Sequence, residues 1–255
     1  MSRRDPSPAL AAATVLLQIG YPLVRGDARD ALTIVTVVVF FLASTTHALV
    51  HRGATWTAGY VAVTAVGGLV AEAVGTATGF PFGQYDYADS LGPRLLDVPV
   101  VVPLAWAMFA YPCLVVGQRL ARSALGAAAV GGLALAAWDL FLDPQMVEAG
   151  HWRFRDVTVS LPGAPGIPVS NYLGWLLVAL LMLGALQLLG RRPADDRVPG
   201  ALFLWTWASS VLANAAFFGR PLVALTGGVV MGTVALPYAR SLRRERVAGG
   251  RRGPA

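Results

Sequence analysis

The sequence predicts an all-α polytopic membrane protein, a transmembrane bundle of about eight helices. Of its 255 residues 56% are hydrophobic and only 13% are charged, whereas an ordinary soluble domain has roughly 25% charged residues. The charged residues cluster between long uncharged apolar runs. Runs of about 20 apolar residues can cross the hydrocarbon core as helices, in which the backbone donors and acceptors are paired. A transmembrane β-barrel would show alternating segments of about ten residues instead.

Eight apolar runs are predicted to span the membrane, and seven spans are the alternative. The first run is short and follows Arg3 and Arg4, as the core of a signal peptide would. It contains the polar residues Gln18 and Tyr21 and lacks a small-residue cleavage site, so we retain it as a span. The last two runs form a hairpin through residues 218–221. The predicted spans are 9–24, 31–50, 57–78, 98–120, 124–142, 172–190, 200–218 and 222–238.

The basic residues predict the orientation of the bundle. All 20 are arginines, and with a cytoplasmic N-terminus fourteen lie on inner segments and six on outer ones. This excess follows the positive-inside rule, so both termini are predicted to be cytoplasmic. We expect residues 1–255 to form a single integral membrane domain of a prokaryotic plasma membrane, with a basic, disordered tail over 241–255. The net charge of +6 lies largely in this tail, which indicates contact with anionic lipid and not nucleic-acid binding.

The carboxylates are concentrated at one side of the predicted bundle. Eight of the fourteen lie within, or close to, the outer ends of spans three to five. The topology places the loops 79–97 and 143–171 on this same side. Carboxylates inside a membrane are costly and therefore often functional. The eight residues are Glu72, Asp86, Asp89, Asp97, Asp139, Asp143, Glu148 and Asp156.

Three of these carboxylates are predicted to lie inside the membrane. Glu72 lies roughly 9 Å below the end of its span at helical rise. Asp139 and Asp143 are four residues apart, which places them on one helix face. Two such neighbours should not both ionise, so one is expected to remain a neutral acid at physiological pH. The alternatives are an interfacial cap for Asp143, before Pro144, and buried interhelical hydrogen bonds for Asp139 and Glu72.

Aromatic residues accompany these carboxylates, and motifs for bound cofactors are missing. The aromatic side chains either form interfacial belts or stack on a flat unsaturated ligand and stabilise a passing cation. The sequence has no phosphate-binding glycine loop, zinc signature or dinucleotide fingerprint. Its single cysteine, Cys113, is expected to pack in a span. We therefore expect chemistry on carboxylates, aromatics and water, with no cofactor and no metal.

Five segments resemble the carotenoid biosynthesis membrane-protein family, most strongly over residues 60–180. That family includes carotenoid 1,2-hydratases that act on γ-carotene-type and bisanhydrobacterioruberin substrates. The segments are GFPFGQYDY (79–87), LGP (91–93), VPVVVPLAW (98–106), AAWDLFLDPQM (136–146) and IPVSNYLGW (167–175).

The resemblance implies hydration of the terminal C1–C2 double bond of an acyclic carotenoid end to a tertiary alcohol. A carboxylic acid would protonate the alkene, and water would capture the resulting carbocation. From the local chemistry, the proton donor is predicted to be Asp139 or Glu72. The other candidates position water (Asp143 and Asp86), hydrogen-bond nearby (Tyr85, Asn171 and Tyr172) or form apolar or cation-facing walls (Trp106 and Trp138).

Several alternatives remain open from the residues alone. A carotenoid end-group cyclase also begins with protonation, but an internal double bond captures the cation. A prenyltransferase would need a second magnesium motif beside Asp139-x-x-x-Asp143, for which Asp86-x-x-Asp89 is a poor candidate. A transporter or a carotenoid-binding scaffold would use the carboxylates differently, although no inverted repeat is evident. The expected partners are a long-chain carotenoid, membrane lipid and other membrane enzymes of the carotenoid pathway.

Overall fold

Eight helices dominate the computed structural model, which describes residues 5–192 and 195–250. Arg3, Arg4 and residues 251–255, to which the orientation and tail predictions refer, lie outside the described residues. The helices are α1 (Ser7–Gly20), α2 (Asp27–Arg52), α3 (Ala54–Thr78), α4 (Val101–Leu120), α5 (Ala124–Glu148), α6 (Val169–Gln187), α7 (Arg197–Phe217) and α8 (Pro221–Gly250).

Seven helices in the described part of the chain, α2 to α8, are long and apolar enough to cross a membrane. The shorter α1 continues as a 3₁₀ turn, so that the apolar helical segment Ser7–Leu23 has 17 residues. At 1.5 Å per residue this is about 25 Å, slightly less than a bilayer core. The prediction of a polytopic helical membrane protein is confirmed. Whether the bundle has seven or eight spans depends on α1. The cytoplasmic position of both termini stays a prediction.

Two helices continue further than the sequence predicts. Helix α5 passes through Pro144 to Glu148, and not to residue 142. A proline removes one backbone hydrogen bond, but the following turn is retained because it buries Met146. Asp143 therefore lies inside a helix and is 2% exposed, so its interpretation as an interfacial cap is wrong. Helix α8 extends to Gly250, so residues 241–250 are helical where a disordered tail was expected; Leu242, Arg243, Arg244 and Glu245 are residue types that favour helix.

Helix α4 is the centre of the bundle and packs against α2, α3, α5 and α7. Its side chains Trp106, Phe109 and Tyr111 are fully buried. Helix α5 approaches it closely because Gly117 faces it, and a Cβ at this position would lie 2.3 Å from the carbonyl oxygen of Ala127. Small residues at such crossings allow helix backbones to approach in membranes. The helices that carry the polar side chains described below therefore surround one buried helix, α4.

Two short β-ribbons close one end of the bundle. Strands β2 (Arg94–Leu95) and β3 (Val98–Pro99) form a hairpin, while β1 (Tyr85–Tyr87) pairs antiparallel with β4 (Trp152–Phe154). The β1–β4 pair joins the loop after α3 to the loop after α5, which confirms that these two loops converge. Side chains alternate along a strand, so Asp86 points to the opposite face from its two tyrosine neighbours.

Candidate active site

Helix α3 carries the first carboxylate of the site, Glu72, which is 4% exposed. Gly68 and Gly75 lie four residues before it and three after it, and therefore on the same helix face. A Cβ at Gly75 would lie 2.7 Å from the Tyr85 hydroxyl oxygen, and one at Gly68 would lie 3.0 Å from the Trp106 ring. The two glycines leave the space in which both side chains reach Glu72.

Three donors bind the Glu72 carboxylate. Its Oε2 accepts hydrogen bonds from the hydroxyls of Tyr85 at 2.5 Å and Tyr87 at 2.7 Å, and its Oε1 accepts one from Trp106 Nε1 at 2.9 Å. Burial, and then the charge of Glu72, raise the pKa of both tyrosines above the usual phenol value, so both remain donors. Three hydrogen bonds to its two oxygens fix the position of this carboxyl group and stabilise its ionised form.

A pair of carboxyl groups on α5 forms the second part of the site. Asn171 on α6 donates from Nδ2 to Oδ2 of Asp139 at 2.9 Å and also to Oδ2 of Asp143. The two aspartates are 0% and 2% exposed, and no ion pair in the described part of the chain involves either of them. Two uncompensated buried carboxyl groups in contact with one amide are expected to hold a proton between them.

A cavity of about 1300 Å³, counting the open space at its mouth, connects the two carboxylate groups. Glu72, Asp143 and Asn171 line it, whereas Asp139 lies behind Asp143 and does not. The remaining wall is largely apolar and aromatic. A pocket of this kind fits a hydrocarbon ligand, whose end would then meet a few polar groups.

Three tryptophans form one aromatic wall of this cavity. Trp106 and Trp175 stack with ring centroids 3.9 Å apart, and the edge of Trp138 meets Trp175 at 6.1 Å. All three rings line the cavity. Their faces can contact an unsaturated chain or stabilise a cation.

The family model of carotenoid biosynthesis proteins matches residues 32–234 of the chain. The chain belongs to this family. It is also similar to the bisanhydrobacterioruberin hydratase of Haloarcula japonica, with 35% identity over 120 residues. The match covers 44% of the chain and 39% of that relative, so that it spans about two fifths of the relative's length. No solved structure matches the chain.

The fold of this carotenoid biosynthesis protein brings most of the predicted site residues together. Asp139 does not line the cavity, but it accepts a hydrogen bond from Asn171, which does. Tyr172 is near the aspartates, and its hydroxyl is buried without a hydrogen-bond partner among the described residues. The predicted residues that line the cavity are Glu72, Tyr85, Trp106, Trp138, Asp143 and Asn171.

Asp86 is the predicted site residue that the fold places elsewhere. It is exposed and forms an ion pair with Arg155 across the β1–β4 ribbon, on the strand face that points away from Glu72. The prediction that Asp86 positions water in the cavity is therefore wrong, because the alternation of the strand turns its side chain outwards.

Two residues of the site were missed by the sequence analysis, although each had a signal. Trp175 follows Asn171 by four residues on α6, which places both on one helix face. Tyr87 follows Tyr85 by two residues, which places both on one face of a strand. The strand has only three residues, so this periodicity was too short to recognise.

Proposed function

We propose that this carotenoid biosynthesis protein adds water to the terminal C1–C2 double bond of an acyclic carotenoid end, giving a tertiary alcohol. The observation that carries the proposal is the pair Asp139 and Asp143, bridged by Asn171 and open to an aromatic cavity on the side of Asp143. Such a pair supplies what hydration of an unactivated alkene needs, namely a proton held in an apolar site. The name of the Haloarcula japonica relative, a hydratase, supports the same reaction class.

Asp143 is the proton donor in this proposal, because it lines the cavity and Asp139 does not. Its O–H proton goes to C2 of the alkene, whose π electrons form the new C–H bond and leave a tertiary cation at C1. Asp139 is a positioning residue, since it reaches the substrate only through Asp143. Asn171 fixes both carboxyl groups through its two N–H bonds.

The cation is stabilised by the other wall of the cavity. The faces of Trp106, Trp138 and Trp175 supply cation–π attraction. Glu72 supplies a negative charge whose position is fixed in advance by Tyr85, Tyr87 and Trp106, and fixed charges of this kind are effective in a site that excludes water. Water then forms the C1–O bond and loses its proton to the Asp143 carboxylate, which restores the acid.

The test is expression of the chain in cells that make an acyclic carotenoid such as lycopene, followed by mass spectrometry of the pigments. We expect products heavier by one or two water molecules. A product of unchanged mass and altered retention would indicate cyclisation, and a gain of an isoprene unit would indicate prenyl transfer. An unchanged pigment pool, with the protein present in the membrane fraction, would contradict an enzymatic function.

We also propose that the termini are cytoplasmic and that the cavity opens toward the outer side of the cell membrane. The distribution of arginines supports this orientation. The natural thiol, Cys113, is fully buried, so single cysteines introduced at exposed positions report the topology. In intact cells, a membrane-impermeant maleimide should label Val159→Cys in the outer loop. Arg243→Cys should be labelled only after permeabilisation, and the reverse pattern would contradict the orientation.

A further inference from the structure

The cavity has further polar side chains, on elements other than those that carry the carboxylates, that the mechanism above does not use. They are contributed by the 3₁₀ turn after α1, by α2 and by α7. They are uncharged and carry hydroxyl groups. We call them the hydroxyl cluster; they are Tyr21, Thr33, Thr36, Thr206, Ser209 and Ser210, all of which line the cavity.

Three hydroxyls of this cluster are buried without a hydrogen-bond partner within the described part of the chain: those of Tyr21, Thr36 and Thr206. The residues are 8%, 9% and 3% exposed. A helical threonine commonly donates to the carbonyl four residues earlier, as Thr33 does to Arg29 at 2.9 Å. Thr36 and Thr206 lack even this bond. Because buried polar groups are nearly always hydrogen-bonded, these three hydroxyls are suited to a ligand in the cavity.

The backbone of α7 is irregular beside the cluster. The helix changes to a π-helical turn over Ala213–Phe217, and Ala213 itself lines the cavity. Such turns occur frequently at functional sites. The irregular turn and the unpartnered hydroxyls are independent observations that point to the same region.

The chemistry of the cluster selects a small neutral ligand that both donates and accepts hydrogen bonds. Its six side chains carry no charge, so nothing in it favours an anion or a cation. An ordered water molecule needs two to four polar partners, and hydroxyl groups suit it because each can both donate and accept a hydrogen bond. The apolar side chains of Val101, Val102 and Met108, which also line the cavity, have no strong hydrogen-bonding group with which to hold water.

We propose that the hydroxyl cluster is the water site of the reaction, holding the molecule that captures the cation. The inference rests on the proposed hydration. Protonation by Asp143 leaves the cation at C1, a lone pair of the held water forms the C1–O bond, and the resulting oxonium returns one proton to the Asp143 carboxylate. The acid and the water are thereby held by different helices that line the same cavity.

The test uses Thr36→Val and Thr206→Val, singly and together, because valine keeps the shape and removes the hydroxyl. Each variant is incubated in D₂O with an acyclic carotenoid that has no hydroxyl group. In the double variant we expect hydration to fall by about tenfold or more, as for loss of hydrogen bonds to a reactant. Deuterium should still enter the recovered alkene, because protonation is intact and the uncaptured cation loses a proton again.

The controls separate this role from others. Thr226→Val, on α8, removes an exposed hydroxyl that bonds its own helix and should leave hydration and exchange unchanged. Tyr21→Phe provides a further variant if the double replacement does not fold. Hydration and exchange that fall in the same proportion would overturn the inference, as would an effect seen only with carotenoids that already carry a hydroxyl. A natural protein that gives neither hydration nor exchange would overturn the proposed function itself.

Discussion

Replacement of Asp143 by asparagine is expected to lower the rate of carotenoid hydration by about 10²–10⁴-fold, the usual contribution of a general acid. The amide oxygen can still accept the bond from Asn171, so the helix pair α5–α6 should remain folded. The variant lacks only the O–H that protonates C2. The measurement is the rate of alcohol formation in membranes or detergent, with the amount of folded protein determined by size-exclusion chromatography.

Asp86→Asn is the matched control for this experiment. Asp86 is also a carboxylate beside the same loops, but it is exposed and paired with Arg155, so its replacement should leave the rate nearly unchanged. Asp139→Asn should retain activity, because Asp139 does not line the cavity and the amide oxygen of an asparagine can still accept the bond from Asn171. Full activity of Asp143→Asn, or an equal loss in Asp86→Asn, would refute the assignment of the acid.

Glu72→Gln is expected to produce the second large effect, a fall in the turnover number of about 10²-fold or more, as when a fixed electrostatic group is removed from a transition state. The replacement preserves the size of the side chain and removes the negative charge. It also places an amide nitrogen, or a single oxygen, where Oε2 accepts bonds from two tyrosines. The measurement is kcat and KM at saturating and limiting carotenoid, together with the thermal midpoint in detergent.

Tyr87→Phe distinguishes an electrostatic role of Glu72 from a structural role in which Glu72 anchors the outer loop. It removes one hydrogen bond to Glu72 and keeps the carboxylate, so it should lower the thermal midpoint but affect kcat much less than Glu72→Gln does. If both variants lose stability and activity in the same proportion, Glu72 anchors the outer loop and the proposed role in cation stabilisation is refuted.

The helical membrane fold was predictable from the sequence because it depends on local quantities. Span length and apolar composition are local properties of the sequence. In lipid, an apolar run of this length pairs its backbone donors and acceptors by forming a helix. The ends of the helices were less predictable. The sequence predicts that the fifth span ends at residue 142, before Pro144, yet the helix continues to Glu148 because the turn after the proline is buried, a tertiary effect that no local pattern contains.

The site was predictable in part for the same reason. Asp139 and Asp143 share a helix face by spacing alone, and their convergence with Asn171 was expected from the topology of the loops. The placement of Asp86 depended instead on a strand of three residues, which forms because β4 pairs with it. Without that pairing, nothing in the sequence distinguishes the outward Asp86 from the inward Tyr85 and Tyr87.

The sequence by itself determined that this protein is a helical membrane protein with costly carboxylates near one end of its spans, since hydropathy and residue spacing are properties of the chain alone. The tertiary structure decided which of those carboxylates meet. It bound Glu72 with three donors, joined Asp139 to Asp143 through Asn171, and opened one shared cavity between them. It also brought three unpartnered hydroxyls from distant segments to the same cavity. Contacts between residues remote in sequence arise from the packing of helices around α4, and for that reason only the folded chain shows them.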